Sequence, residues 1–412
     1  MVPEGWAEKP LESLTKQKVT YGVVKPGDER TGGVLFVRGG DFPNGKIRIS
    51  ELRTINGDVS KAYKRTLLRG GEILVSLVGY PGATAIVPNE LAGANIARQA
   101  ALVRPSERVD RDYLFQFLRS DIGQKRMLSQ TIGSAQQVIN LKDLNALHVV
   151  CPPLPEQKKI ADILSTWDRA IETSEALLAT ARTQKRGLMQ SLLTGKRRFP
   201  EFEGQAWQEM LFEELFIRVR RKNTVGNEKT LTISGQDGLV SQLDYFNKRV
   251  AAADLSGYTL LVGGDFAYNK SYSSGYPMGA IKMLPDGQSG VVSSLYLCFA
   301  LADQYSHCRE FFRHFFEFGC FNREIYKIAQ EGARNHGLLN VSVHDFFRAK
   351  ITVPGREEQE RIAEAIDVAE REEAHDRAVL EKLRAEKKAL MQQLLTGKRR
   401  VEVHKGRSVQ NA

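Results

Sequence analysis

The feature that most constrains this chain is an internal repeat with a period of about half its length. The run LMQSLLTGKRR at 188–198 recurs as LMQQLLTGKRR at 390–400, with one substitution. The same register, without a gap, pairs EQKKIA at 156–161 with EQERIA at 358–363. Self-similarity at a long fixed period is the mark of a duplicated architecture. The chain is therefore predicted to contain two related halves.

Weaker echoes carry the repeat into the regions before these segments. Trp6 is matched by Trp207, and the GGEI run at 70–73 is matched by GGDF at 263–266. These matches predict modules that alternate with helices. The predicted boundaries are a first module at 1–150, a first spacer helix at 151–199, a second module at 200–353, a second spacer helix at 354–400 and a basic tail at 401–412.

Both repeated segments are predicted to be long helices, because their apolar residues recur at spacings of three and four. Each helix is expected to start after a proline, Pro155 or Pro354, and to end at a Thr-Gly pair where glycine caps it. The residues predicted to pair the helices are Ile160, Leu164, Trp167, Ile171, Leu178, Leu188, Leu192, Ile362, Ile366, Leu380, Leu383, Leu390 and Leu394.

The repeat also predicts how the two helices pair. A pseudo-two-fold relation between the halves sets their helices antiparallel. A helix of about forty residues is roughly 60 Å long, which suits a spacer between the two modules. Packing or dimerisation alone is the alternative role for such a seam. Polar residues interrupt the apolar seam at Ser174, Lys185, Glu373, Asp376 and Lys387.

The modules themselves are predicted to be α+β units with different surfaces. Short β-rich runs predict strands at 34–37, 73–78, 230–233 and 291–299. Helical stretches are predicted at 112–128 and 307–329. Two related folds with different surfaces are expected to bind different ligands.

Composition adds a weaker constraint on partners and location. The net charge of +10 favours a polyanionic partner without identifying it. No apolar run approaches the roughly eighteen residues of a membrane span, and no secretory signal is visible, so a cytoplasmic protein with no membrane partner is expected. The four cysteines lack zinc-ligand spacing and are expected to be buried, reduced thiols: Cys151, Cys298, Cys308 and Cys320.

One family shares the repeated motifs. LPEQKKIA at 154–161, followed by a long helix and LLTGKRRF at 192–199, resembles the conserved region of type I restriction-modification specificity subunits. The runs at 70–76 and 264–270 resemble the characteristic strand of their target recognition domains. The resemblance implies an α+β fold with two α/β target recognition domains in a pseudo-two-fold arrangement, separated by two long antiparallel coiled-coil helices. It also implies that each domain reads one half of a bipartite, asymmetric site in double-stranded DNA.

The resemblance further implies a set of partners. Two methyltransferase subunits and restriction/translocase subunits are expected, with S-adenosylmethionine, ATP and Mg in those partners and no cofactor in this chain. The sequence agrees with a non-catalytic role, since it contains neither an Asn-Pro-Pro-Tyr methyltransferase motif nor a GxxxxGK[ST] phosphate loop. No metal-ligand spacing is present, and the seven histidines are expected to be packed or surface residues.

Cations and amide side chains are the groups that bind phosphates and read base edges. In the first module the candidates are Arg38, Lys46, Arg48, Arg53, Lys64, Arg65, Gln136 and Gln137. In the second module they are Lys248, Arg249, Asn269, Lys270, Tyr272, Arg334, Asn335 and His336. Each is also readable as an ordinary solvated residue. The glycine-flanked loop at 332–337 is the favoured contact, with a plain turn before a strand at 338–343 as its alternative.

Two other classes of protein stay open from the sequence alone. An autonomous enzyme requires cofactor binding by the isolated chain. A coiled-coil scaffold requires no sequence-selective DNA binding even with partner subunits present. A specificity subunit of a related bipartite-site methyltransferase or nuclease system is a variant of the first interpretation.

Overall fold

The computed structural model describes residues 2–129, 137–248, 250–272, 275–329 and 339–403. They divide into two compact units. The first unit takes in residues up to 176 and those from 378 onward, and the second unit takes in 177–377. Each unit therefore combines one module with the first part of the helix that follows it and the last part of the other helix. No helix among the described residues is both long and apolar enough to cross a membrane.

The module of the first unit is built from short strands and four short helices. Its strands are β1 Ala7–Pro10, β2 Thr20–Tyr21, β3 Val34–Val37, β4 Arg53–Ile55, β5 Ile73–Ser76, β6 Thr84–Ile86, β7 Asn95–Ile96, β8 Ala100–Val103 and β9 His148–Cys151. Its helices are α1 Gly57–Ala62, α2 Arg111–Arg119, α3 Asp121–Leu128 and α4 Leu141–Asn145, followed by the long α5 Leu154–Leu192. Single turns of 3₁₀ helix lie at Leu11–Leu14, Ile49–Glu51, Lys64–Thr66 and Asn89–Leu91.

The second module has a similar order of elements. After a 3₁₀ turn at Pro200–Phe202, its strands are β10 Gln208–Leu211, β11 Phe216–Arg218, β12 Leu231–Ser234, β13 Gly238–Ser241, β14 Thr259–Val262, β15 Phe266–Asn269, β16 Ala280–Met283, β17 Ser289–Val292, β18 Leu297–Leu301 and β19 Lys350–Val353. Its helices are α6 Phe212–Leu215, α7 Gln242–Phe246, α8 Arg309–Phe318, α9 Asn322–Ile328 and α10 Val343–Arg348, followed by the long α11 Arg356–Leu394.

The strand order of the central sheet is the same in both units. The first unit has the antiparallel order β2-β8-β5-β6, and the second has β11-β18-β15-β16. A two-stranded sheet closes each module, β1 with β9 and β10 with β19, also antiparallel. The glycine-preceded strands noted in the sequence are therefore the equivalent inner strands β5 and β15. All four residues of β5 are buried, because helices and further strands cover both faces.

Each core joins a module to parts of both long helices. In the first unit, Tyr113 and Phe117 of α2 pack in one cluster with Ile160 of α5 and Leu394 of α11. In the second unit, Phe212 and Phe299 lie in one cluster with residues of both long helices. The ends of the helix seam are thus parts of the module cores, and burial of apolar surface holds helix and module together.

Several predicted elements prove shorter than expected. The stretch at 112–128 is two helices, because Ser120 has extended backbone angles and caps α3 with its hydroxyl. The stretch at 307–329 is also broken, because Gly319 ends α8 with a φ of 84° that favours glycine. The run at 291–299 contains the end of β17 and the start of β18. Residues 339–342 form no strand, and α10 begins at Val343.

The long helices follow their predicted bounds closely. One expectation was wrong: α5 begins at Leu154, so Pro155 occupies its first turn, where a missing N–H costs no hydrogen bond. Helix α11 begins at Arg356, the equivalent position of the repeat. Beyond each helix, Gly195 and Gly397 adopt φ values of 68° and 70°, as expected for glycine caps.

Candidate nucleic-acid interface

The predicted pairing residues of the two long helices are all at least partly buried. Eight are buried, namely Ile160, Leu164, Leu178, Leu192, Ile362, Ile366, Leu380 and Leu394. Five are half-buried, namely Trp167, Ile171, Leu188, Leu383 and Leu390. The helix segments within each unit run antiparallel: in the first, Glu175 of α5 pairs with Arg384 of α11 at 2.8 Å, while Asp168 pairs with Lys387 at 2.6 Å.

Three of the five polar residues that interrupt the seam, Lys185, Glu373 and Lys387, form ion pairs. In the second unit, Glu373 of α11 accepts from Lys185 and Arg182 of α5 at 2.5 and 3.1 Å. Burial alone would raise the pKa of Glu373, but these cations lower it to about 2. In the first unit, burial lowers the pKa of Lys387, opposed by its hydrogen bond to Asp168. These three interruptions are therefore charged contacts between the helices.

A repeated cluster, which we call the helix anchor, ties each helix start to the end of the other helix. In the first anchor, Glu156 of α5 accepts from the Trp6 indole at 3.3 Å and from Arg400 at 2.5 Å. Arg400 follows α11, so this contact explains the last of the three basic residues behind the Thr-Gly pair. The Arg400 guanidinium also lies 5.6 Å from the centroid of the Trp6 ring.

The second anchor repeats this geometry in the second unit. Glu358 of α11 accepts from the Trp207 indole at 3.2 Å and from Arg198, which follows α5, at 2.5 Å. A neighbouring glutamine completes each anchor: Gln157 accepts from the backbone N–H of Asp110 and Gln359 from that of Cys308, both at 2.8 Å. These N–H groups lie at the starts of α2 and α8, so each glutamine fixes its helix to the module.

Half of the basic candidates in the first module are bound by nearby groups. Arg38 donates to Asp41 at 2.8 Å, and this hydrogen bond raises the pKa of Arg38. Lys46 pairs with Glu172 of α5 at 2.6 Å, and Arg48 pairs with Glu51 at 2.9 Å. These contacts compete with phosphate, so the three cations are poorer candidates than the sequence indicates.

The remaining candidates of the first module are exposed. Arg53 has only a long contact of 3.9 Å with Glu29. Lys64 and Arg65 are exposed side by side on a 3₁₀ turn, and neither forms an ion pair within the described residues. Gln137 is exposed, whereas Gln136 lies outside the described residues. The adjacent pair Lys64 and Arg65 is therefore the clearest phosphate-binding pair in this module.

The candidates of the second module differ in accessibility. Asn269 ends β15 and accepts from the N–H of Ser271 at 3.0 Å. Lys270 donates to the carbonyl of Val341 at 2.9 Å, and burial lowers its pKa. Lys248 and Tyr272 are exposed. The candidates Arg249, Arg334, Asn335 and His336 lie outside the described residues.

A repeated loop motif escaped the sequence analysis. Gly-Tyr-Pro occurs at 79–81, between β5 and β6, and again at 275–277, between β15 and β16. Tyr80 is exposed, whereas Tyr276 donates to the carbonyl of Gly235 at 2.6 Å and contacts Lys282. Aligning the two inner strands would have found the motif, but not the different environments of the two tyrosines.

The described residues contain one group with metal-ligand chemistry, formed by His314, Asp367 and Glu370. Arg313 donates to Asp367 at 2.5 Å and to Glu370 at 2.9 Å. Burial and this arginine lower the pKa of His314, against the effect of Asp367. The Arg313 guanidinium thus supplies the positive charge that a metal ion would bring to these carboxylates. The cluster is best explained as a contact between α8 and α11.

The thiols are not positioned for chemistry. Burial raises the pKa of Cys151 to about 11 and those of Cys298 and Cys320 to about 12. All four cysteines are free, but only Cys151 and Cys298 are buried, so the expectation of four buried thiols was wrong for Cys308 and Cys320.

Comparison with known sequences gives a family match for the first half of the chain. Residues 3–181 match the family model of the type I restriction modification DNA specificity domain. Over 196 residues the chain is 30% identical to the type I restriction enzyme EcoBI specificity subunit of Escherichia coli. That alignment takes in 47% of this chain and 41% of the relative, so the chain matches less than half of the relative's length.

Solved structures match over nearly the full chain. The type I restriction-modification system S subunit from M. genitalium aligns with a TM-score of 0.56 at 13% identity, covering 98% of this chain and 97% of that one. A chain from a structure describing complex assembly and conformational transition of the type I R-M system aligns with a TM-score of 0.57 at 16% identity, covering 97% and 100%. These matches confirm the fold class predicted from the sequence.

Proposed function

We propose that each of the two modules reads one half of a bipartite DNA site, starting from the match of residues 3–181 to the type I restriction modification DNA specificity domain family and from the fold that the chain shares with solved type I S subunits. The observation that carries the proposal is that the two helix anchors are alike, whereas the exposed surfaces of the two modules differ. Equal anchors suit one kind of partner bound twice, whereas unequal surfaces suit an asymmetric site.

The exposed residues of the modules support this division of roles. The first module exposes the cations Lys64 and Arg65, and the second exposes Lys248 and Tyr272. Phosphate contacts supply most of the affinity for DNA and position the protein, while contacts to base edges supply specificity. The domain boundaries at 1–150 and 200–353 are proposed as the limits of the two target recognition domains.

The chain is proposed to act without catalytic groups of its own. Two methyltransferase subunits would bind the repeated helices and supply the S-adenosylmethionine site, and restriction/translocase subunits would supply ATP and Mg chemistry. The assembly would work in the cytoplasm, where host DNA is accessible. Purified chain should not methylate DNA, and methylation should appear when the methyltransferase subunit is added.

A chimera tests the assignment of one half-site to each module. Residues 1–150 are replaced by the matching module of a relative, and methylated positions in host DNA are mapped by sequencing. The expected result is a change in one half of the site with the other half retained. A change in both halves would contradict independent reading by the modules.

A charge variant tests the exposed cations of the first module. Lys64→Ala with Arg65→Ala should reduce the slope of log affinity against log salt by about 2, the number of phosphate contacts removed. Lys350→Ala is the matched control, since this lysine is equally exposed but pairs with Glu209 at 2.5 Å. An unchanged slope in the double variant would remove these residues from the interface.

A further inference from the structure

The second module carries a cluster of exposed apolar side chains on one short turn. Leu243, Tyr245 and Phe246 of α7 are 59%, 52% and 42% exposed. The Tyr245 and Phe246 rings lie edge to face with centroids 4.9 Å apart. Contiguous exposed apolar patches mark surfaces that bind another macromolecule, a membrane or a ligand. We call residues 243–248 the exposed apolar turn.

The base of this turn is rigid. Strands β12 and β13 form a hairpin in which Leu231 opposes Ser241, and Leu231 and Leu239 are buried in the core. The N–H of Gln242 donates to the carbonyl of Thr230 at 2.9 Å. The hairpin therefore holds α7 in place while its apolar side chains stay in solvent.

The end of the turn combines a strained backbone with a cation. Asn247 has a φ of 51°, the one positive value among non-glycine residues in the described part of the chain. Such a conformation costs free energy and persists where the surrounding structure fixes it. The next residue, Lys248, is exposed and has no ion pair within the described residues. An exposed cation thus follows the two aromatic residues by two and three positions in the sequence.

The described residues of the first module form no equivalent surface. No four-residue window among them holds three exposed large apolar side chains. The most closely spaced exposed pair in their sequence is Tyr21 and Val24. A methyltransferase subunit that binds both halves alike needs the same surface twice, which the exposed apolar turn does not provide. A surface that only one module has suits a ligand that differs from one module to the other. The two halves of an asymmetric DNA site differ in this way.

Resting on the proposed function, we propose that the exposed apolar turn inserts the Tyr245 ring between base pairs of the half-site read by the second module, with the Phe246 ring edge-on beside it as part of the wedge and Lys248 on the adjacent phosphate. Apolar side chains inserted at base steps unstack and kink the duplex. Aromatic stacking on a base is sequence-tolerant, so this contact reads the deformability of a base step. The second half-site then carries specificity at a step that forms no hydrogen bond with the protein.

The test uses the full chain assembled with its methyltransferase subunit. The probe is a duplex carrying the site mapped in host DNA, with 2-aminopurine replacing, one at a time, the bases of the second half-site other than the methylated adenine. Wild-type complex should raise the fluorescence at one step, which reports unstacking. Tyr245→Ala with Phe246→Ala should abolish that signal and weaken binding by about tenfold or more.

Two matched variants separate insertion from other effects. Tyr245→Phe keeps the ring and should retain the fluorescence signal. Tyr305→Ala removes a tyrosine that is 84% exposed elsewhere in the same unit, and it should leave affinity and signal unchanged. Because all these side chains are exposed, each variant should melt at the wild-type temperature.

Three outcomes would overturn the inference. Unchanged affinity and fluorescence in the double variant would show that the turn does not touch DNA. Loss of methyltransferase binding in that variant would show that the turn docks a protein. Absence of site-selective binding by the wild-type complex would overturn the proposed function itself, and the inference with it.

Discussion

The two units share one fold but fill it with different side chains. The first core is mostly aliphatic around Tyr113 and Phe117. The second is built on phenylalanine, with the Phe212 ring within 5.5 Å of five other ring centroids. The helix anchors, in contrast, repeat the same residue types and nearly the same distances. The module interior is thus free to vary as long as its apolar volume is kept, while the contact between helix and module is not.

The anchors differ in one respect, which is their exposure. Glu156 of the first anchor is 10% exposed and its partner Arg400 45%, whereas Glu358 and Arg198 of the second are 2% and 17% exposed. Removing one partner of an ion pair costs more as water is excluded, because the remaining charge is left buried and uncompensated. Breaking the ion pair should therefore cost more in the second anchor than in the first.

The largest expected effect comes from cutting the chain after its first half. The first core needs 394–400, because Leu394 and Leu395 are buried in it. A fragment of residues 1–199 lacks that segment but carries its equivalent, 192–198. Two copies should therefore complete each other, giving a dimer in sedimentation velocity. Arg198→Ala in the fragment should weaken the dimer, and a monomer at micromolar concentration would show that the two halves are not interchangeable.

The next largest effect distinguishes the two cores. Phe212→Ala should reduce the free energy of unfolding by about 3–5 kcal/mol, because a large buried ring leaves a cavity among other rings. Leu11 opens the turn after β1 as Phe212 opens α6 after β10, and it is also fully buried. Leu11→Ala should cost less, towards the lower end of the range of about 2–5 kcal/mol for leucine. Urea unfolding measures both. Equal losses would mean that the phenylalanine core tolerates cavities better than its packing indicates.

The two anchors should differ by a smaller amount. Glu358→Gln leaves Arg198 without its counter-charge in a mostly buried place and should cost about 3 kcal/mol. Glu156→Gln leaves the more exposed Arg400, which water and salt screen, and should cost less than Glu358→Gln. Glutamine keeps an oxygen for the tryptophan indole in both variants, so the difference in urea midpoints reports the ion pair. The reverse order would contradict the role of exposure.

The smallest effect concerns pH. The pKa of Glu373 is lowered to about 2 from an ordinary 4.5. A carboxyl with a depressed folded pKa adds stability that is complete above pH 4.5 and disappears as pH falls towards 2. The wild-type protein should exceed Glu373→Gln in stability by roughly 2 kcal/mol at pH 6, and this gap should close by about pH 2. A gap that stays constant between pH 6 and 3 would rule out this titration.

The sequence predicted the long helices well, because their repeat and apolar spacing are local properties of the chain. In the sequence, Glu373 and Lys387 were interpreted as interruptions of the apolar seam. Their partners lie on the other long helix, and a local pattern does not show how the two helices are aligned. The sequence also predicted continuous helices across Ser120 and Gly319. Gly319 was visible as a helix breaker, but a serine inside a helical pattern is ambiguous until its hydroxyl is seen to cap the next helix.

The DNA-binding candidates were the least predictable part. The Arg38 and Asp41 pair follows from their spacing of three residues, but the contact of Lys46 with Glu172 joins residues far apart in the sequence. Such contacts decide which cations are free. The exposed apolar turn was equally hidden, since Leu243, Tyr245 and Phe246 read as ordinary core residues until the fold leaves them in solvent.

The core of the first unit contains residues from the end of α11. This sets the order in which the two modules can fold during synthesis on the ribosome. The first module is synthesised early, yet its core stays open until 394–400 leave the exit tunnel. A nascent chain that stops before these residues would carry a complete second module and an unfinished first one. A chain that ends before residue 394 should therefore expose its first module to proteases. The module that is synthesised first is the last to become stable.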